Sequence, residues 1–121
     1  MVAGMKSFPL AVALGLVLAA PAHATGGLIC ATAGPRPISL SLVISHTAVP
    51  AVVSARLSER GREVPVVVAQ SWFDPDEVRI DLVDRNAMRH EVRVRATRRG
   101  ETYDGSLWRH GVRRWVRCRE G

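Results

Sequence analysis

The chain has 121 residues, of which 47% are hydrophobic and 23% charged, and 17 basic against 11 acidic residues give a net charge of +6. Residues 25–121 provide enough length for one small domain and leave no room for a second. They contain no internal repeat or low-complexity segment, and the two cysteines do not form the C-x-x-C motif of redox enzymes.

The first 24 residues have the pattern of a secretory signal peptide. Lys6 precedes an apolar run over residues 8–20, and small residues form an A-x-A pattern that ends at Ala24. The run is shorter than a permanent membrane-spanning helix requires. We therefore predict cleavage after Ala24, a single domain over residues 25–121 with no transmembrane segment, and a periplasmic or secreted location in a bacterium.

Both cysteines lie in the predicted domain, Cys30 near its start and Cys118 near its end. Because export places a protein in an oxidising compartment, we expect the two to form a disulfide. Closing a loop of this length stabilises a fold by roughly 4–5 kcal/mol in the chain-entropy model. The same bond would tie the first predicted strand to the last.

Apolar and polar residues alternate with a period of two through almost the whole domain, which indicates β-strands rather than helices. Turn residues separate eight predicted strands, at residues 28–32, 38–45, 52–59, 62–70, 77–83, 87–97, 101–109 and 112–119. Each strand is predicted to pair with the next in antiparallel order. The expected fold is an all-β meander that closes into a small barrel or a barrel-like sandwich.

The third and fourth predicted strands form a hairpin around a two-residue loop at residues 60–61. This register pairs Leu57 with Val64 and, further along, Val53 with Val68, so that the apolar side chains share one face. Pro65 has no backbone N–H to donate, so we predict that the fourth strand lies at an edge or contains a bulge.

A three-residue loop, residues 84–86, is predicted to join the next two strands, with Asn86 in the left-handed backbone region. In this register Glu77 faces Arg93, and two further pairs of opposite charge follow on the same face. His90 is then predicted to point inward as a hydrogen-bonded core residue.

The last hairpin, with a two-residue loop at residues 110–111, contains most of the candidate binding residues. Its register places Trp108 opposite Arg113. One interpretation is an exposed aromatic and basic binding face, since Trp and Arg are enriched at interface hot spots and form cation–π contacts. The other is that neighbouring side chains cover the tryptophans and the arginines extend over them. The candidate binding residues are Trp108, Trp115, Arg113, Arg117, Arg99 and His110.

The positive charge is concentrated in the C-terminal third of the chain. Residues 92–121 contain nine arginines and three acidic residues, whereas residues 25–91 contain seven arginines and eight acidic residues. Such a patch favours an anionic partner. For an exported protein, the expected partner is an anionic envelope component or a protein with an acidic surface, and not nucleic acid.

The sequence lacks motifs for catalysis or metal binding. No two histidines have metal-ligand spacing, both cysteines are assigned to the disulfide, and there is no G-x-S-x-G nucleophile elbow. The carboxylates in residues 74–77 are typical of a turn. We therefore predict no catalytic residue, metal site or cofactor, and a non-catalytic binding domain is favoured over a small hydrolase.

Residues 100–111, GETYDGSLWRHG, resemble the signature of the periplasmic inhibitors of C-type lysozyme. The matching residues are Gly100, Tyr103, Gly105, Trp108 and Gly111. The resemblance implies an exported barrel, bridged by cysteines near its ends, that inhibits a cell-wall hydrolase. At the two positions that enter the lysozyme cleft in that family, this chain has Arg99 and His110.

Overall fold

The structure is a computed structural model that describes residues 25–46 and 48–121, so the predicted signal peptide lies outside the described residues. The described part of the chain forms nine β-strands and no helix. The strands are β1 Thr25–Thr32, β2 Ile38–Ser45, β3 Ala51–Glu59, β4 Arg62–Val64, β5 Val67–Phe73, β6 Glu77–Val83, β7 His90–Arg99, β8 Thr102–Arg109 and β9 Val112–Glu120.

All nine strands belong to one antiparallel sheet with the order β4-β3-β2-β1-β9-β8-β7-β6-β5. Within this order β1 pairs with β9, which joins the first strand to the last, and every other pair is consecutive in the chain. The sheet curls strongly into a half-barrel. The predicted all-β meander is thus confirmed, with nine strands instead of eight. Nowhere in residues 25–46 and 48–121 is there a helix that is long and apolar enough to cross a membrane.

The additional strand arises because the predicted fourth strand divides at Pro65. Its first part, β4, pairs with β3, and Val64 lies opposite Leu57. Its second part, β5, pairs with β6 instead. Proline cannot donate to a ladder, so pairing stops at this point. The two edges of the sheet are therefore joined by only two residues, and β5 lies close to β3.

The predicted pairing of Val53 with Val68 is wrong, because Val68 belongs to β5 and lies opposite Leu82. A bulge in the β2–β3 pair places Val52 opposite Ile44 and leaves Val53 between two paired residues. A bulge of this kind changes which side chains face the core. Val52 is consequently buried, whereas Val53 is 57% exposed.

The core fills the concave side of the curled sheet with branched aliphatic side chains from alternate strand positions. Burial of each such side chain contributes about 1.5–3 kcal/mol. Tyr103 is the largest fully buried residue. Its ring lies 5.7 Å from that of Phe73, and its hydroxyl donates a hydrogen bond to the carbonyl oxygen of Asp74 at 3.1 Å.

The predicted disulfide between Cys30 and Cys118 is present and buried. The two cysteines are direct partners in the β1–β9 pair. The bond therefore crosslinks the first and last strands in the middle of the sheet, across 88 residues of sequence.

The backbone of β7 leaves no room for a side chain at Gly105 on β8. A Cβ atom at this position would contact the carbonyl oxygen of Arg95 and would lie 2.6 Å from the Cα atom of Ala96. Both obstacles are backbone atoms, which cannot move aside as a flexible side chain can. Glycine is therefore required here by the spacing of the strands.

We expect Gly105→Ala to lower the free energy of unfolding by about 2–3 kcal/mol, because the added methyl group overpacks the β7–β8 pair. Urea denaturation followed by tryptophan fluorescence measures this loss. Ser106→Ala, a change at the next residue on the opposite face, serves as the control. Equal stability of the two variants would contradict the proposed steric requirement.

Candidate functional site

The three tryptophans lie on the outer, convex face of strands β5 to β9. They occupy the strand positions that alternate with core residues, so the sheet turns their side chains away from the interior. Trp72 is 50% exposed and Trp115 is 51% exposed, whereas Trp108 is half-buried. The indole of Trp72 donates a hydrogen bond to the Asp74 carboxylate at 2.7 Å.

The sheet register places arginines directly beside these tryptophans. Trp108 lies between Arg93 on β7 and Arg113 on β9, and its pairing with Arg113 confirms the predicted β8–β9 register. The guanidinium of Arg117 lies 5.0 Å from the ring centre of Trp115. We call this surface the tryptophan–arginine face; it consists of Trp72, Trp108, Trp115, Arg79, Arg93, Arg95, Arg113 and Arg117.

Asp81 holds two of these arginines in place. Its carboxylate accepts hydrogen bonds from Arg93 Nε at 2.9 Å and from Arg95 Nη2 at 3.2 Å, and the residue is buried beneath them. Burial by itself raises the pKa of a carboxyl group, but the two guanidinium groups outweigh it and hold the pKa of Asp81 below its usual range. Asp81 is therefore ionised at neutral pH and fixes both side chains.

Asp104 holds Arg117 in the same way. Its two carboxylate oxygens accept hydrogen bonds from Arg117 Nε at 2.9 Å and from Nη2 at 3.0 Å, which is the bidentate geometry of a strong pair. The hydrogen bonds from Arg117 lower the pKa of Asp104. The arginine that lies over Trp115 is thus fixed by a cross-strand ion pair.

Arg113 differs from these arginines. It is exposed and lies directly across from Trp108, and it forms no ion pair with any acidic residue that the structure describes. Of the two arginines that flank Trp108, Arg93 is therefore held by a carboxylate and Arg113 is not.

A groove with a volume of about 580 Å³ lies beside Trp108. Its lining residues are His90, Glu91, Val92, Arg93, Arg95, Trp108, His110 and Gly111. We call it the Trp108 groove. It combines one aromatic ring, two histidines and two arginines at the end of β8 that is next to the β8–β9 turn.

His90 reaches this groove because the β6–β7 loop is longer than predicted. The loop spans residues 84–89, and Asp84 Oδ1 closes it by accepting the backbone N–H groups of Met88 and Arg89 at 2.7 and 3.2 Å. The left-handed residue is Ala87, with φ of 58°, and not Asn86.

The longer loop moves the β6–β7 register by four residues from the predicted one. Glu77 therefore pairs with Thr97, and Asp81 takes the predicted place of Glu77 opposite Arg93. The predicted inward orientation of His90 is also wrong, since this residue is exposed at the start of β7.

A buried ion cluster closes the same end of the half-barrel. A bulge turns Glu91 inward, where its Oε1 lies 2.9 Å from Arg109 Nη1, and Arg109 Nη2 lies 2.9 Å from Glu59 Oε1. The hydrogen bond from Arg109 lowers the pKa of Glu59. Burial lowers the pKa of Arg109, but its two carboxylate partners outweigh that effect and raise it. The cluster connects β3 to β7 and β8.

Sequence analysis did not identify this cluster, although one signal was present. Strand alternation places Arg109 on the same face as Tyr103 and Leu107, which are buried core residues. A charged residue at such a position requires partners, because an unpaired buried charge is strongly unfavourable. The identity of those partners depends on the bulge at Glu91, which the sequence pattern does not reveal.

The structure brings together some of the predicted site residues and separates others. Trp108 and His110 line the groove, whereas Arg113 is not a lining residue and faces Trp108 from β9. Trp115 and its partner Arg117 lie further along the same face. Arg99, in contrast, lies at the other end of β7, six residues or about 20 Å from Arg93, the β7 residue that faces Trp108.

Most residues that match the lysozyme-inhibitor signature have structural roles. Gly100 and Gly111 adopt positive φ in turns, Gly105 permits close strand contact, and Tyr103 belongs to the core. Two of the five, Trp108 and Gly111, line the groove, and Trp108 is the one of these two that contributes a side chain.

Comparison with known proteins assigns no family. No family model matches the chain, and neither does any curated protein or solved structure. Within residues 25–46 and 48–121, no group of three or more His, Cys, Asp or Glu residues could hold a metal ion.

We expect Asp81→Asn to destabilise the protein by about 1–3 kcal/mol at neutral pH, because Arg93 and Arg95 lose their charged partner. The wild-type pKa of Asp81 is depressed, so its stabilising effect is present above the ordinary pKa of 3.8 and is lost as the pH falls through the folded-state value. The difference in the free energy of unfolding between the variant and the wild type should therefore become smaller at acidic pH.

Urea denaturation at about pH 7 and about pH 3 tests this expectation. Asp76→Asn, which changes an exposed aspartate in the β5–β6 turn, is the control. An equal loss of stability at both pH values would show that Asp81 does not act through its charge.

Proposed function

We propose that the protein is an exported, non-catalytic binding domain whose tryptophan–arginine face contacts an anionic partner. The observation that carries the proposal is the placement of all three tryptophans on one outer face, with arginines beside them. Two of these indoles leave about half of their surface in water. Exposed aromatic residues with neighbouring guanidinium groups are typical of binding surfaces.

The disulfide supports the exported location. Cys30 and Cys118 are bonded, and structural disulfides persist in oxidising compartments. This agrees with the signal peptide predicted for residues 1–24.

Several carboxylates position other groups of the protein. Six carboxyl groups have a pKa below the usual range, and they are Glu59, Asp74, Glu77, Asp81, Asp84 and Asp104. These six groups are held ionised by hydrogen bonds, which suits the positioning of arginines and turns.

We expect Trp108→Ala combined with Trp115→Ala to abolish partner binding and leave the fold intact, because both side chains project from the outer face. The protein, immobilised as bait, is incubated with a cell-envelope extract at low and at high salt. Thermal unfolding of the double variant verifies that it folds. If it does not fold, the two rings have a structural role and the binding-face proposal is wrong.

Val53→Ala is the matched control, since Val53 is an exposed apolar residue on β3 outside the tryptophan–arginine face. It should retain the same material as the wild type. Retention that disappears with added salt and does not depend on the tryptophans would indicate diffuse charge attraction, which salt screens. That result would contradict a specific binding face.

Inhibition of a cell-wall hydrolase is the second candidate function. It is supported by the position of Trp108 and His110, two residues of the signature segment, in the same groove. A lysis assay with C-type lysozyme tests it, and this function predicts loss of lysis at a micromolar excess of the protein. Undiminished lysis would exclude it and would leave the general binding function untouched.

A further inference from the structure

The charges around the Trp108 groove are unevenly paired. Arg93 and Arg95 share the single carboxylate of Asp81. The Glu91 carboxylate, which also lines the groove, is paired with Arg109 and with Arg89. The groove therefore keeps an excess of positive charge.

The free guanidinium group at this place is that of Arg113. It is the arginine next to Trp108 for which the described chain offers no acidic partner, so it can turn towards a ligand without breaking an ion pair. A guanidinium fork binds a carboxylate through two parallel hydrogen bonds. The site thus offers one indole and one unengaged carboxylate-binding group side by side.

The groove is also open on the side of the β8–β9 turn. Gly111 lines it, and a Cβ atom at Gly111 would have no other atom within 4 Å. Trp115 is the diagonal neighbour of Trp108 across the β8–β9 pair, which corresponds to about 7–8 Å between the two positions. A ligand that runs from the groove along the face can therefore meet a second indole.

We infer that the Trp108 groove binds a carboxylated glycan, with one sugar ring against Trp108 and the carboxylate of that ring on Arg113. The next units of the glycan would extend towards Trp115. This inference rests on the proposed binding function and specifies its ligand. A sugar with one carboxylate per ring matches one free guanidinium beside one indole, whereas a phosphate polymer provides charge without an apolar ring face.

The arrangement of the face favours a glycan over a protein partner. The centres of protein interfaces bury aromatic side chains together in packed clusters that exclude water. On this face, Trp108 has an arginine on each side in its cross-strand row, and Ser106 lies between Trp115 and Arg95. Each of these indoles thus has a polar neighbour within its own row, an alternation that suits a glycan chain with its apolar ring faces and polar substituents.

The test uses an oligouronate of about six units, titrated into the full protein at roughly physiological salt, with binding followed by calorimetry and tryptophan fluorescence. A neutral oligosaccharide of equal length and inorganic polyphosphate are the comparison ligands. We expect the oligouronate alone to bind and to change the tryptophan emission. Absence of oligouronate binding would overturn the inference.

Two variants distinguish a specific binding site from general electrostatic attraction. Arg113→Gln should weaken oligouronate binding about tenfold or more, the effect of losing a charge-assisted hydrogen bond. Arg119→Gln removes the same charge from the same face of β9, six residues or about 20 Å away, and should leave affinity within about twofold. Equal weakening by both substitutions, or equal binding of polyphosphate, would contradict the inference.

The outcomes also distinguish this inference from the function on which it rests. The oligouronate could fail to bind while a discrete envelope protein is still retained in a manner that depends on Trp108 and Trp115. In that case the assignment of a glycan ligand is wrong and the proposed binding function is retained. If neither the oligouronate nor any tryptophan-dependent envelope component is retained, both are wrong.

Discussion

The pairing of β1 with β9 is the contact on which the rest of the structure depends. Every other strand pair in the described sheet joins consecutive strands, so it forms locally through a short connection. The β1–β9 pair instead joins the two ends of the domain, and closing so long a loop has a substantial entropic cost. The disulfide between Cys30 and Cys118 lies within this pair and reduces that cost by restricting the unfolded chain.

The curvature of the sheet decides which side chains face solvent. Once the sheet curls, one face of each strand lines a small interior that aliphatic residues and Tyr103 fill. The tryptophans and most arginines must then lie outside. The core and the tryptophan–arginine face therefore use alternate residues of the same strands, so outward residues can be replaced without removing core contacts. Among the described residues Arg109 is the one buried arginine, and it is tolerated because Glu91 and Glu59 neutralise it.

The sequence predicted the β8–β9 hairpin completely because its turn is specified locally. His110 and Gly111 adopt φ of 52° and 77°, as a two-residue turn of this type requires, and every predicted pair in the hairpin follows from that loop length. Pro65 likewise indicated an interruption at the edge of the sheet. In both cases a residue with a strong backbone preference determines the structure.

The β6–β7 register could not be predicted in the same way. The loop is closed by the Asp84 side chain, a contact that composition and alternation do not reveal. The error of four residues is an even number, so Ile80 and Leu82 were still correctly predicted to face inward. His90 was not, because the adjoining bulge at Glu91 disturbs the alternation on that strand.

The β6–β7 register also determines which arginines are paired with carboxylates, and the distribution of charge along the sequence does not show this. Nine arginines against three acidic residues in residues 92–121 indicate a broad positive surface. Folding brings carboxylates from earlier strands to those arginines, Asp81 to Arg93 and Arg95, and Glu59 to Arg109. Many of the charges are thereby engaged within the protein, and the available positive charge is confined to fewer positions. Arg113 stays free beside Trp108 because Asp81 lies three strands away on β6 and Asp104 on β8 is paired with Arg117, so the free charge on this face follows from pairing that only the folded chain defines.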